Sequence, residues 1–538
     1  MESRETTDLT QARDSLQIAL GVYLDACLRL ENQPSNSHNA SRVISDELST
    51  IDSGQYKRMI QHAKLALSRA QNRDPFLVPI SRLPPEILAR IFTSIQTCCA
   101  RDLLNPHQDP RQPYWDHFVL SWVCSHWRDI AISSCNMWSH IDIVLSHPLS
   151  QSILSRAQVS GIRAKPAALA VHVEDKPTWE HSNEDGDGLA HFFSSYGGRT
   201  QSLELRCFYE KRECRQSMQM FFSSATAGVL KQLVLIDKGA DCNRCNFLVP
   251  AGSGPSITSS AIGRYTLYGL DVTLKEYEDL MLSLTRLKLS AVYPYWTSQA
   301  YRGLIELQLI PGRGVGFDNM SRNAIISDLQ LAEILRASPE LRVFHFGLCV
   351  QTVPKSTPHP AYMKDLEVFR LEYMDTDDQQ AVLRLINPGQ KPFHMIWGAQ
   401  IHFGAPPLSS QSQFTRFFLR SHLTRLSIKG MMSEFHFFQL LPLLPRLQFL
   451  ALSQFIINIT GELKDQELDT QGTLQRLHLL RCEVYPGSLQ LLIKMVFIQR
   501  ITSSYCQYDY EDLDIISSLV EHVDSEGGFG EGGWDELS

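Results

Sequence analysis

The chain has 538 residues, more than one hydrophobic core usually organises, which predicts roughly three or four folded units. Its net charge of -8 argues against a nucleic acid as the main partner, because phosphate binding requires a basic surface. No run of about 18 apolar residues predicts a transmembrane helix, and the first residues lack the pattern of a signal peptide. We therefore expect no membrane association, reduced cysteines and a cytoplasmic or nuclear location.

Residues 1–74 predict helices. Between residues 9 and 30, apolar side chains recur at steps of three and four residues, the period of an amphipathic helix. A break rich in Asn and Ser follows, and a second periodic stretch runs from about Ser41 to Ala70, with an interruption expected near Gly54. The pattern is too short and irregular for sustained heptads. It fits a two-helix support packed on the next segment, which we favour, or a short dimerising coiled coil.

Residues 75–145 form the most distinctive segment. Pro84 and Pro85 suit a first helical turn, where a missing N–H costs no hydrogen bond and a fixed φ helps. Glu86 follows in that turn, where the helix dipole favours an anion. A second apolar stripe lies between Phe118 and Ala131, and the residues after it predict a bend into a short strand.

This segment resembles an F-box. Twelve residues match the pattern of that family in order: Leu83, Pro84, Glu86, Ile87, Leu88, Ile91, Phe92, Val123, Cys124, Trp127, Arg128 and Trp138. An insertion near 105–114 departs from the pattern and is expected to form a tolerated loop, since loop length has a small entropic cost. The pattern alone also fits a helical hairpin in an ordinary core.

The resemblance implies docking on a Skp-type adaptor and, through it, on a cullin. A three-helix piece buries little surface alone, so a partner that covers its apolar face is physically plausible. The order of segments also resembles the large F-box families of mushroom-forming fungi. The positions that the resemblance assigns to the adaptor face, or directly behind it, are Leu83, Pro84, Ile87, Leu88, Ile91, Val123 and Trp127.

A short phrase, apolar-x-x-apolar-x-apolar, recurs between residues 146 and 522. Weaker copies end at Leu205 and Leu267, and the long interval after the copy at Leu366 leaves room for a degenerate copy around Phe393–Phe403. Helix-like stretches separate several copies, at 327–337, 377–386, 434–441 and 486–495. The clear copies begin at Leu230, Leu284, Leu304, Leu341, Leu366, Leu423, Leu447 and Leu474.

Such a repeated strand–helix unit cannot bury its apolar face alone, so stacking predicts a parallel sheet with an outer layer of helices. The array resembles an irregular leucine-rich-repeat solenoid, although the regular Asn or Cys of that family is missing. The alternative is an α/β domain without repeat geometry. The predicted fold class is α followed by α/β: helical segment 1–74, three-helix F-box 75–145, leucine-rich-repeat-like solenoid 146–522 and disordered acidic, Gly-rich tail 523–538.

Motifs for catalysis and metal binding are missing from the sequence. Cys242 and Cys245 form one Cys-x-x-Cys pair, but a zinc site needs four ligands and no second pair follows. The glycines at 312–316 lack the Lys-Ser/Thr of a phosphate-binding loop. We therefore expect no enzyme activity, no metal and no cofactor.

The two resemblances together imply the substrate-recognition subunit of an SCF-type (cullin-RING) ubiquitin ligase, with an unknown protein as substrate. The alternative is a binding scaffold that acts outside ubiquitin transfer. The variable positions of the phrase should point away from the core, and arginine and aromatic residues dominate binding hot spots. Arg425, Phe449 and Arg476 are therefore the candidate substrate-binding residues.

Overall fold

The chain divides into two compact units, Met1–Ile91 with Phe118–Ala131, and Phe92–His117 with Ile132–Ser538. Among the helices of the described stretches, none combines the length and hydrophobicity that crossing a bilayer requires. The computed structural model describes residues 4–32, 38–52, 54–73, 76–95, 117–145, 150–175, 185–208, 212–239, 245–252, 265–312, 324–353, 358–372, 374–398, 412–435, 437–459 and 473–507.

Helices make up the first unit where it is described. The expected interruption near Gly54 is confirmed, because this glycine has φ 67° and separates two helices. The Tyr23 hydroxyl donates a hydrogen bond of 2.9 Å to the Glu47 carboxylate and so links the first helix to the second. The helices are α1 (Arg4–Asn32), α2 (His38–Asp52), α3 (Gln55–Arg73), α4 (Pro85–Ile95), α5 (Leu120–Val123) and α6 (Ser125–Ser133).

The apolar side chains of α1 and α3 are not covered by the described part of the chain. Leu16, Ile18, Leu24, Met59 and Ile60 are each more than half exposed. An apolar face of this extent is typical of a surface that associates with something else.

Parallel strands and helices alternate in the second unit. The further helices are α7 (Ser150–Arg163), α8 (Asp185–Tyr196), α9 (Arg212–Ser224), α10 (Leu274–Met281), α11 (Asp328–Ala337), α12 (Thr376–Leu385), α13 (Gln413–Arg420), α14 (Phe437–Leu440) and α15 (Ser488–Met495). The strands are β1 (His140–Leu145), β2 (Leu169–Asp175), β3 (Thr200–Cys207), β4 (Gln232–Asp237), β5 (Cys245–Pro250), β6 (Tyr265–Leu270), β7 (Arg286–Ser290), β8 (Val292–Pro294), β9 (Glu306–Ile310), β10 (Ile325–Ser327), β11 (Val343–Phe346), β12 (Cys349–Gln351), β13 (Ala361–Met363), β14 (Val368–Leu371), β15 (Ile386–Pro388), β16 (Phe393–Gly398), β17 (Leu423–Glu434), β18 (Phe449–Ile457), β19 (Thr473–Leu480), β20 (Glu483–Val484) and β21 (Phe497–Ser504).

One large sheet runs through the described part of this unit, in the order β1-β2-β3-β4-β7-β9-β11-β14-β16-β17-β18-β19-β21, and β20 pairs with β18. Its strand pairs are parallel, and neighbours follow one another in chain order. Small parallel sheets lie beside it: β6-β5-β8, β10-β12 and β13-β15. Helices pack on the helices that follow them, as α7 does on α8, α8 on α9, and α12 on α13.

The second and third apolar residues of the recurring phrase are aligned between neighbouring strands of the large sheet. These residues are two positions apart, so both side chains lie on the same face of the sheet. The third apolar residues of the phrase form one row across the sheet, and members such as Leu235, Leu309 and Leu452 are fully buried. The row of second residues, each at most 2% exposed, is Ile141, Val171, Leu203, Leu233, Leu287, Leu307, Phe344, Phe369, Met395, Leu426, Leu450, Leu477 and Ile501.

The expected mixed α/β class with a parallel sheet is confirmed. The degenerate copy suspected around Phe393–Phe403 corresponds to β16, whose buried residues Phe393, Met395 and Trp397 repeat the alternation. The helices expected at 327–337, 377–386 and 486–495 correspond to α11, α12 and α15.

Three expectations differ from the structure. The copy that ends at Leu267 lies in β6 of a small sheet, where Leu267 is 42% exposed, because a local alternation does not specify which sheet a strand joins. The stretch 434–441 is α-helical only at Phe437–Leu440, with a 3-10 helix following at Leu441–Leu443, since β17 continues to Glu434. The short strand expected after Trp138 is present as β1, but it is the first strand of the large sheet and not a part of the helical segment 75–145 alone.

Several sequence features lie outside the described residues. These are the insertion near 105–114, Cys242, most of the glycine-rich stretch at 312–316, and the tail 523–538.

Changing Leu477 to alanine should destabilise the sheet. Leu477 is fully buried between Leu450 and Ile501, so truncation removes apolar contacts and leaves a cavity. We expect the free energy of unfolding to fall by about 2–5 kcal/mol, measured by urea denaturation with circular dichroism. The exposed residue Gln475 on the same strand is the matched control. Gln475→Ala should change the free energy of unfolding by about 0.5 kcal/mol or less. Equal losses in the two variants would contradict the register described here.

Candidate functional site

Polar side chains cover the face of the large sheet opposite the apolar rows. They come from the positions between the buried residues, because successive side chains of a strand point to opposite faces. Burial lowers the pKa of His172, His345 and His478 on this face, so these imidazoles are neutral near pH 7. The charged residues of the face include Asp142, Glu174, Glu204, Arg206, Arg286, Lys288, Glu306, Arg370, Glu372, Arg425, Lys429, Arg476 and Arg500.

Charges of both signs are paired along the first half of this face. Arg206 forms ion pairs with Glu204 and Glu174, and Lys238 pairs with Glu174. The Lys238 ammonium also donates a hydrogen bond of 2.8 Å to the Asp175 carbonyl. A groove of about 180 Å³ lies beside these pairs and is lined by Glu204, Arg206, Gln232, Val234, Arg286, Leu287, Lys288, Glu306 and Gln308.

The last strands bring the candidate substrate-binding residues together. Arg425 of β17 is in register with Phe449 of β18, and Phe449 is in register with Arg476 of β19. Neighbouring strands are about 4.8 Å apart, so the three side chains form one short row. Both arginines are exposed, and Phe449 is half-buried. Arg500 of β21 extends the row by one strand, and sequence reasoning missed it because the copy in β21 has Ser503 in place of its third apolar residue.

This row lies in a basic region of the chain. The stretches 412–459 and 473–507 contain nine Lys and Arg residues but only two acidic ones, Glu434 and Glu483. Among the described residues, neither Arg425 nor Arg476 has an ion-pair partner. Burial, together with the positive charges of Arg425 and Arg370, lowers the pKa of His394 to about 4. The row therefore offers two accessible guanidinium groups beside an aromatic ring, which suits an acidic ligand.

The residues matching the F-box pattern lie just before and within α4, at the end of α5 and in the first half of α6, and Trp138 lies just before β1. The Leu83 N–H donates to the Ile80 carbonyl at 3.1 Å, and the Pro84 carbonyl accepts from the N–H groups of Ile87 and Leu88 at 3.0 and 3.1 Å. Pro84, Ile87 and Ile91, which the F-box resemblance assigns to an adaptor face, are exposed. Leu88 is fully buried, so it can only pack behind such a face.

The stripe from Phe118 to Ala131 is broken into two short helices. Cys124 is extended, with φ -157° and ψ 169°, and its Sγ accepts a hydrogen bond of 3.4 Å from the Trp127 N–H at the start of α6. The side chain thus caps α6 in the way an N-cap oxygen does. Val123 is 56% exposed and Trp127 is half-buried, while the exposed Trp122 beside them was missed as a contact candidate.

Comparison with known proteins does not place the chain in a family. No protein-family model matches it, and no curated protein matches it either. Its function is therefore inferred from its residues and their geometry.

Protonation of His394 should make the protein less stable in mild acid. His394 shares a hydrogen bond of 2.9 Å with the buried Ser427, and its folded pKa is about 4 against an ordinary 6.5. Between these two pH values the unfolded state binds more protons than the folded state. The contribution of neutral His394 to the free energy of unfolding is therefore fully present above pH 6.5 and is lost as the pH drops towards 4.

His394→Gln removes this titration but keeps a polar side chain next to Ser427. Urea midpoints measured between pH 7 and 4 should therefore fall less steeply in this variant than in the wild type. The exposed His191 of α8 is the control, and His191→Gln should keep the wild-type slope. A wild-type slope in His394→Gln would show that His394 is not the group responsible.

Proposed function

We propose that this protein is the substrate-recognition subunit of an SCF-type ubiquitin ligase. The observation that carries the proposal is the exposure of Pro84, Ile87, Ile91 and Val123, apolar residues at F-box-like positions. An isolated helical segment that presents these side chains to water is stabilised by a partner surface that covers them. A Skp-type adaptor is the partner that the F-box resemblance implies.

The second unit is proposed to be a leucine-rich-repeat-like solenoid. Support comes from strands that follow one another in chain order and from two apolar rows that stay aligned across the sheet, with register shifts only outside these rows. In such an array each unit contacts mainly its neighbours, and the strands provide one extended polar face. That face is where a target protein is proposed to bind.

The row Arg425–Phe449–Arg476 is proposed as the anchor for the target. Guanidinium groups bind carboxylates through two parallel hydrogen bonds, and a half-buried aromatic ring supplies apolar contact beside them. An acidic segment of a protein fits this combination. The chain itself catalyses nothing under this proposal; it raises the effective concentration of the target near the catalytic module of the ligase.

The rival function is a scaffold that binds the adaptor, or a target alone, outside ubiquitin transfer. Affinity purification of the full chain followed by mass spectrometry distinguishes the two. Recovery of both an adaptor and a cullin supports the ligase subunit, and recovery of an adaptor without a cullin supports the scaffold. Recovery of neither would refute the F-box proposal.

The double change Leu83→Ala with Pro84→Ala should weaken adaptor binding. Burying one aliphatic side chain at an interface is worth about 1.5–3 kcal/mol, so the dissociation constant should rise tenfold or more. Isothermal titration calorimetry with purified adaptor measures the change. Leu282→Ala is the control, since Leu282 is an equally large, exposed residue in the second unit. Unchanged affinity in the double variant would remove these residues from the adaptor face.

The triple change Arg425→Gln, Phe449→Ser and Arg476→Gln should leave adaptor binding and melting temperature nearly unchanged. It should deplete a subset of the proteins that co-purify with the wild type, because the proposed anchor is lost. The matched control changes two exposed arginines and an exposed leucine off the polar face: Arg302→Gln, Leu282→Ser and Arg336→Gln. If both variants retain the same co-purified set as the wild type, the target binds elsewhere.

A further inference from the structure

Two imidazoles and a carboxylate converge at the first edge of the large sheet. His140 and Asp142 are two residues apart on β1, so their side chains share one face. His172 of β2 is directly opposite Asp142 in the parallel register. The side chains of His140, Asp142 and His172 are only 16%, 10% and 13% exposed.

The contacts within this cluster are longer than typical hydrogen bonds. His140 Nε2 lies 3.3 Å from Asp142 Oδ1, and His172 Nδ1 lies 3.5 Å from the same oxygen. N–H···O hydrogen bonds are typically about 2.7–3.2 Å long. Asp142 Oδ1 is buried and has no hydrogen-bond partner among the described residues. A buried carboxylate oxygen without a donor is unfavourable unless a cation compensates it.

These distances fit the coordination sphere of zinc. Bonds of about 2.0–2.1 Å to histidine nitrogen and to carboxylate oxygen place tetrahedral ligands about 3.3–3.4 Å apart. An octahedral ion with similar bonds would place adjacent ligands closer, at about 3.0 Å. One donor atom from each of the three residues lies within 4.8 Å of the others. A small rotation of an imidazole therefore brings the ligand nitrogens of His140 and His172 to the separation that zinc requires.

We propose that His140, Asp142 and His172 bind one Zn²⁺ ion. Imidazole nitrogen favours zinc over Mg²⁺ or Ca²⁺, which prefer oxygen ligands. Three protein ligands leave the fourth tetrahedral position for water or for a group from a bound molecule. Glu204 of β3, in register with His172 and ion-paired with Arg206, lies next to the site. The inference is independent of the proposed ligase function.

The ion would join the edge strand β1 to β2. Because it binds the folded sheet and not the unfolded chain, added zinc should raise the melting temperature. It would therefore stabilise the end of the sheet that follows the helical unit in the chain.

Zinc binding can be tested on the full-length protein without a polyhistidine tag. After removal of metals, one equivalent of Zn²⁺ is added, and X-ray absorption at the zinc edge reports its ligands. Nitrogen and oxygen scatterers with two imidazoles and no sulfur support the proposal. A sulfur shell would show that cysteines hold the metal and would overturn it, whether or not any variant folds.

Variants then locate the ion. Asp142→Asn and His172→Gln should each lose one bound zinc per chain, measured by competition with a chromogenic chelator, and should lose the zinc-dependent rise in melting temperature. Asp142→Glu, which keeps a carboxylate, should retain binding. His359→Gln removes an exposed histidine elsewhere and is the control. Wild-type zinc content and affinity in both Asp142→Asn and His172→Gln would disprove this site.

Discussion

Burial of two apolar rows across the parallel sheet is the constraint on which the second unit depends. A shift of one residue in any strand would turn its apolar side chains to the polar face, so the register of every strand is fixed by its core. The same register then fixes which polar residues are neighbours on the other face. Phe449 lies between Arg425 and Arg476 because Leu450 lies between Leu426 and Leu477. The core therefore determines the geometry of the candidate sites.

This dependence explains what could be predicted from the sequence. The apolar phrase marks strands that lie side by side, so the strands of Leu307 and Leu450 and even the degenerate β16 could be found from spacing. The same phrase cannot show which sheet a strand joins, and Leu267 was misassigned for that reason. The short strand β1 was predicted after Trp138, but it was grouped with the F-box-like segment because that resemblance extends to Trp138, two residues before β1 begins.

The two candidate sites differ in how far the sequence could predict them, because only one of them lies in strands that carry clear copies of the phrase. Arg425, Phe449 and Arg476 occupy equivalent positions in well-formed copies, so aligning the copies brings them together. His140 and His172 belong to strands whose copies lack the leucines of the phrase, and a whole helix, α7, separates them in sequence. Only the parallel register places His172 opposite Asp142. A metal-ligand pattern read from local spacing could not have revealed this cluster.

The polar face also shows why overall charge is a poor guide to local chemistry. The chain carries a net charge of -8, yet its last strands lie in stretches with nine basic residues and two acidic ones. Because screening limits charge interactions to about 8 Å in physiological salt, a ligand at Arg425 and Arg476 responds to its neighbours and not to distant carboxylates. At the other edge, Glu174 and Glu204 pair with Arg206, and Asp142 faces the imidazoles of His140 and His172. Under the two proposals, one continuous face binds an acidic protein segment at its last strands and a divalent cation at its first.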